Sequence, residues 1–336
     1  MRVLVTGHRG YIGVHLVDLL KAAGHSVTGC DLDLFHGCAW DPYVPADFEL
    51  IKDFRALRLE EMAGHDCVMH LAAISNDPMG DLAEDLTYDV NLRGTVELAE
   101  KAKRAGVPRF LLSSSCSIYG RGDKLDLAEK DPLNPVSAYA VSKVESERRI
   151  GALGDATFAV AFLRNATAYG YSPMLRIDLV ANNLLGCAIA TNRIRIMSDG
   201  TPWRPLIHCH DIARAFMAFL QAPRQAIAGQ AVNVGGNQEN YQVRDVAAEV
   251  ERLLPGAAIE FTGEVGNDPR NYRVCFDRLR QLLPDFSLQY SLRSGMEELF
   301  AAYRRHRFGV AEWESDQFVR LRVLKKRLDL LRGVTV

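Results

Sequence analysis

Tyr139 and Lys143 stand four residues apart in Tyr139-Ala140-Val141-Ser142-Lys143, which on a helix places a phenol and an ammonium on one face, about one turn apart. A phenol ionises near pH ~10, and a neighbouring ammonium favours the phenolate, so the pair can act as a general base. Ser115, in the run Ser113-Ser114-Ser115-Cys116-Ser117, follows a strand-like segment and can donate to a reacting oxygen. Near the start of the chain, Thr6-Gly7-His8-Arg9-Gly10-Tyr11-Ile12-Gly13 follows a strand-like run and opens a helical one, so its glycines sit where a phosphate would meet a helix N-terminus. Gly7 suits the tight turn, Gly10 the close approach of a pyrophosphate, and Gly13 the packing of helix on strand. Asp31 lies 18 residues beyond Gly13, near the ~20 expected of a ribose-binding acid. A carboxylate there favours NAD over NADP, with Asp33 and Arg9 close by. Oxidised nicotinamide would further favour the Tyr139 phenolate, and Lys143 can also hold the cofactor ribose.

These groups need a parallel sheet to bring them together. Short apolar runs alternate with stretches of helical period, the pattern of βαβ units. Strands are predicted at Val3–Thr6, Ser26–Asp31, Cys67–Leu71, Phe110–Ser113 and Phe158–Arg164, and the helices Val90–Ala105 and Ser137–Ile150 carry apolar residues at spacings of three and four. Further on come a helix at Ile177–Ala190, a strand at Ile194–Met197, and Pro205–His208 leading into a helix from Asp211. Ala231–Gly235 is apolar enough to return to the main sheet, so two lobes interleave. The fold class expected is α/β, a Rossmann doubly wound parallel sheet with an interleaved smaller lobe. The tail from Glu312 to Arg332 reads as a basic amphipathic helix on the solvated surface.

Composition excludes several classes of function. Of the 336 residues, 48% are hydrophobic and 24% charged, which fits a globular chain and neither a disordered nor a membrane protein. A net charge of -2 gives no general field for nucleic acid, so an anion site must be a local pocket. Seven cysteines are scattered without a C-x-x-C pair, and neither disulfides nor zinc is expected. The chain opens directly on a strand-like run, and a cytoplasmic location is expected.

With the glycine loop, the serine strand and the Tyr139/Lys143 pair in one order, the chain resembles the extended short-chain dehydrogenase/reductase superfamily, in its nucleotide-sugar epimerase/dehydratase group. Further matches are Asp53, His70-Leu71-Ala72-Ala73, and Asn91 in Val90-Asn91-Leu92-Arg93-Gly94-Thr95. The resemblance implies that Asp53 and Phe54 face the adenine and that Leu71, Ala72 and Ala73 line the cofactor. It further implies that Asn91 and Ser113 belong to the cofactor site and that Ser115, Tyr139 and Lys143 form a catalytic triad. The second half resembles the nucleotide-sugar lobe of that group through Asn182-Asn183-Leu184 and Gly200-Thr201-Pro202-Trp203-Arg204-Pro205. Arg204 matches a diphosphate-binding arginine, and Arg270 is a second candidate, with a surface ion pair as the alternative for each. Residues 1–165, with 205–240 returning in part, would then bind NAD, while 166–204 and 241–336 would hold the nucleotide sugar.

The departures narrow the chemistry. Members that eliminate water carry an Asp-Glu pair just after the Ser/Thr, and those that decarboxylate keep a glutamate there. Here the positions are Cys116 and Ser117. Thr167 stands where asparagine is common, and His8 and Arg9 replace small residues, exposed or near the phosphates. Ser75, Asn76 and Asp77 follow the third strand towards the sugar, and Cys116, Ser117, Asn165, Thr167 and Asn183 complete the expected substrate contacts. The reading is an NAD-dependent nucleotide-sugar epimerase working through a 4-keto intermediate, with a 4-ketoreductase as its competitor within enzymes. A catalytically silent NAD-binding sensor or scaffold is the alternative from another class. A homodimer pairing the helices Val90–Ala105 and Ser137–Ile150 with their copies is expected, as in resembling proteins.

Overall fold

The protein is described by a computed structural model covering residues 1–75, 83–120, 126–262 and 271–332, with side chains as far as Arg327. Asn76, Asp77 and Arg270 therefore lie outside the described residues.

Val3, Leu4 and Val5 are buried on both faces of β1 (Arg2–Thr6), as the central strand of a covered parallel sheet must be. Around it lie β2 (Ser26–Asp31), β3 (Phe48–Ile51), β4 (Cys67–His70), β5 (Arg109–Ser115), β6 (Ala159–Asn165) and β10 (Gln230–Val234). All pair in parallel, in the order β10-β6-β5-β4-β1-β2-β3. The chain runs outward from β1 in one direction and then from β4 in the other, so the crevice that takes a ligand opens beyond the carboxyl ends of these two strands. β3 was not expected: Phe-Glu-Leu-Ile is short and mostly exposed, and only pairing with β2 makes it a strand.

Helix α1 (Gly13–Ala22) buries Val14, Leu16, Val17 and Leu20 against this sheet. The expected helix from Val90 splits into a wide π-type turn at Asp89–Gly94 followed by α2 (Thr95–Arg104). Helix α3 (Ala138–Gly151) begins where the Ser137 hydroxyl accepts from the Ala140 N–H at 3.2 Å.

The smaller lobe is built on β7 (Thr167–Tyr169), β9 (Trp203–His208) and β11 (Asn240–Gln242), with a parallel pair of β8 (Arg193–Ile196) and β12 (Ala258–Phe261). Helices α4 (Val180–Thr191), α6 (Val243–Leu253) and α7 (Leu292–Arg305) enclose its core of Leu184, Leu185, Val250, Leu299 and Tyr303. Between them in sequence, α5 (Cys209–Gln221) packs on α1 and leads the chain back to β10, so the lobes interleave.

The tail departs from expectation. A short helix at Val310–Glu314 is followed by α8 (Arg320–Arg332), which is no solvated surface helix: Arg320, Val323 and Leu324 are buried. Their burial against residues far apart in sequence is invisible to a local charge pattern.

Candidate functional site

One continuous cavity of about 690 Å³ runs from the glycine loop, past the ends of β4, β5 and β6, into the smaller lobe. At its cofactor end the lining includes Gly7, Gly10, Tyr11, Ile12 and Gly13. Gly7 has a φ of 76°, and a Cβ there would stand 2.6 Å from the Ala72 nitrogen. At Gly13 a Cβ would lie 2.2 Å from the Gly7 carbonyl oxygen, so the helix packs this tightly on the loop through glycine alone. Tyr11 donates to the Gly170 carbonyl at 2.6 Å, tying the loop to the smaller lobe.

Asp31 lines the same end, where its carboxylate accepts from the N–H groups of Arg9 at 3.2 Å and Asp33 at 2.8 Å. Burial raises its pKa above the ordinary range, against the lowering effect of those bonds. Arg9 is held by Asp33 at 2.7 Å and Glu49 at 2.6 Å. His8 is not exposed and does not line the cavity: it is 2% exposed, its ring occupies the space above Gly29, and its Nε2 lies 3.0 Å from Glu49. The missing Cβ of Gly29 makes that burial possible. Asp53 and Phe54 also line the cavity, Asp53 being gripped by Arg55 at 2.8 Å.

Leu71, Ala72, Ala73 and Ser75 form the wall after β4. Asn91 lies behind that wall, its amide donating to the Ile74 carbonyl at 2.9 Å and accepting from the Ile74 N–H at 2.8 Å. It shapes the loop from outside the cavity, and the π-type turn delivers it there.

Ser113, Ser115, Tyr139 and Lys143 meet at the centre. Lys143 Nζ donates to the Ser113 carbonyl at 2.8 Å and lies 5.7 Å from the centroid of the Tyr139 ring. Full burial lowers the Lys143 pKa to about 8, with Glu147 acting in the opposite sense. Burial, together with the charge of Lys143, also depresses His70, which bonds to the Thr6 and Thr95 hydroxyls. The Ser115 hydroxyl accepts from the Ser117 N–H at 3.1 Å. Helix α3 is itself held by Glu147, which pairs with Arg164 at 2.7 Å and accepts from Ser114.

At the substrate end the lining includes Ser117, Asn165, Thr167, Asn183 and Arg204. Among the described residues, Ser117 Oγ and Asn165 Oδ1 are buried polar atoms without a partner, both in the cavity wall. Asn165 Nδ2 donates to Ser113 Oγ at 3.0 Å. Asn183 donates to the Ile177 carbonyl, and Arg204 to the Trp203 carbonyl. Cys116 is not in the wall: its thiol is buried, donates to the Arg164 carbonyl and has its pKa raised by burial.

Sequence reading missed Arg176, which is buried in the wall, pairs with Asp178 at 2.7 Å and donates to Ser75 at 3.0 Å. The alternation Arg176-Ile177-Asp178 is the one local sign of it. Arg320 and Leu324 also line the cavity and carry no such sign.

The family model of the NAD dependent epimerase/dehydratase family matches residues 3–235. A UDP-glucose 4-epimerase of Mycolicibacterium smegmatis is 33% identical over 325 residues, covering 90% of this chain and 99% of the relative. A dTDP-glucose 4,6-dehydratase of Streptomyces griseus is 25% identical, covering 91% and 94%. The crystal structure of UDP-glucuronic acid 4-epimerase from Bacillus cereus, in complex with UDP-glucuronic acid and NAD, matches with a TM-score of 0.78 and 25% identity, covering 91% of this chain and 99% of that one. The glycine cradle and the Asp31 carboxylate at the same end of the cavity fit a dinucleotide. The chain belongs to the NAD dependent epimerase/dehydratase family of extended short-chain dehydrogenases/reductases, NAD-dependent enzymes acting on nucleotide sugars.

Proposed function

We propose that the protein is a nucleotide-sugar epimerase that inverts C4 through a transient 4-keto sugar. One observation carries this reading: beside Ser115, the positions that hold carboxylates in dehydrating relatives are Cys116, turned onto a backbone carbonyl, and Ser117. The acidic residues of the described wall are Asp31 and Asp53 at the cofactor end and Asp178, engaged by Arg176. An acid placed to expel a hydroxyl is thus missing from the described wall around Tyr139.

When bound, NAD supplies a hydride acceptor that can return the hydride. Tyr139 as phenolate takes the C4 hydroxyl proton, and Lys143 favours that ionisation. Ser115 donates to the same oxygen, stabilising it as it becomes a ketone. After the sugar presents its other face, hydride returns to C4 and Tyr139 gives the proton back, so the reaction has no net redox change. The unpartnered Ser117 Oγ and Asn165 Oδ1 are available to sugar hydroxyls. Asn183 and Arg204, which line the cavity, would meet the nucleotide diphosphate, whose oxygens a guanidinium can bind bidentately. We further propose a homodimer formed by the face of α2 and α3, which a dimeric mass by light scattering would support and a monomeric one refute.

The test is to incubate purified protein with UDP-glucose, UDP-galactose, UDP-glucuronic acid and dTDP-glucose in D₂O without added cofactor, and to read products by NMR. A C4 epimer without solvent deuterium is expected. Deuterium at C5 with loss of water, release of carbon dioxide, strict dependence on added NADPH, or binding of NAD with every sugar unchanged would each overturn the reading.

A further inference from the structure

The C-terminal helix α8 lies against the cofactor end of the cavity, and nothing in the proposed chemistry uses it. Arg320, at its first turn, is 2% exposed and lines the cavity. Its Nη2 donates to the Met174 carbonyl at 2.9 Å, and its guanidinium lies 4.3 Å from the centroid of the Phe35 ring. Among the described residues, Nη1 is buried without a hydrogen-bond partner. Asp178, the carboxylate within electrostatic reach, is taken by Arg176 through bonds of 2.7 and 3.0 Å. Arg176 repels Arg320, and the neighbouring Cys38 thiol is a weak acceptor. A buried guanidinium without its own anion is costly, and burial accordingly lowers its pKa.

Its surroundings indicate which anion is missing. Met174 follows Ser172, whose hydroxyl donates to the Tyr11 carbonyl at 2.8 Å within the glycine loop. Val323, on the next turn of α8, packs with Val14 of α1, Cys38 and Met174. Leu324 joins the cluster containing Cys30 and Phe54, and Arg327 donates to the carbonyls of Leu34 and His36. The helix therefore spans from the N-terminus of α1 to the loop after β2, the two walls between which a dinucleotide pyrophosphate would run.

We propose that Arg320 binds the pyrophosphate of the bound dinucleotide and that α8 is a clasp holding the cofactor in place. Two negative charges at a helix N-terminus supply the counter-charge that Nη1 lacks, and a clasped cofactor suits an enzyme that must keep the hydride it removes. The inference depends on the cofactor and not on which sugar reaction follows.

The experiment is calorimetric titration of NAD-free protein with NAD, ADP-ribose, adenosine and UDP, for the unaltered chain, Arg320→Met and Arg320→Lys. Loss of charge-assisted bonds weakens NAD and ADP-ribose by about 10- to 100-fold in Arg320→Met. Adenosine and UDP should stay within about twofold, with Arg320→Lys recovering part of the loss. NAD affinity within twofold of the unaltered protein, a parallel loss for adenosine, or a loss confined to UDP would overturn it. If Arg320→Met does not fold, hydrogen exchange of the unaltered protein decides: amides of residues 320–327 slowed by ADP-ribose but not by adenosine support the clasp, and equal protection or none refutes it.

Discussion

Replacing Lys143 by Met should make the NAD-free protein more stable near neutrality while abolishing turnover. Lys143 is buried, and its pKa falls from 10.5 to about 8. At about 1.4 kcal/mol for each tenfold change in proton affinity, that depression corresponds to about 3 kcal/mol. Because the folded value is the lower one, the unfolded chain binds more protons between these limits. The penalty is therefore fully present below pH 8 and fades as pH rises towards 10.5. Methionine removes the penalty but also loses the bond from Nζ to the Ser113 carbonyl, worth about 1 kcal/mol. The variant should thus gain about 2 kcal/mol at pH 7, and the gain should vanish near pH 10. Urea denaturation of both NAD-free proteins at pH 7, 8.5 and 10 measures the difference, and other titrating groups cancel between them. A variant less stable than the parent at pH 7, or a difference independent of pH, would show that the ammonium is not paying for its burial and would refute the account of its lowered pKa.

Glu147→Ala leaves Arg164 buried without its carboxylate, and should cost about 3–5 kcal/mol in chemical denaturation. Gly13→Ala drives a Cβ to within 2.2 Å of the Gly7 carbonyl oxygen. It should lower stability by up to about 3 kcal/mol and abolish retention of NAD, as read from the cofactor content of purified protein. Asp31→Asn should weaken NAD about tenfold and narrow its advantage over NADP in titrations of both. An unchanged ratio would mean that Arg9, already bound by Asp33 and Glu49, sets the preference instead.

The cofactor half was legible because its chemistry depends on local backbone. A turn with positive φ at Gly7 and a helix starting at Gly13 demand glycine at fixed spacing, and a helix repeats its face every three to four residues, so Tyr139 and Lys143 declare themselves as neighbours. The parallel sheet followed from alternating apolar runs, since strands buried on both faces must be apolar throughout. Contacts made across long separations left no such sign. Asn91 reads like a cofactor ligand, yet it clamps Ile74 from behind the wall. Cys116, next to Ser115 in sequence, turns away from the cavity because β5 gives way there to a tight turn. Arg320 sits in a run of basic residues that reads as solvated surface, and the helix carrying it folds back across the glycine loop from the opposite end of the chain. Spacing along the chain thus determined which residues could do the chemistry. Tertiary packing alone decided which side chains reach the cavity, because reach depends on where distant segments bury their apolar faces.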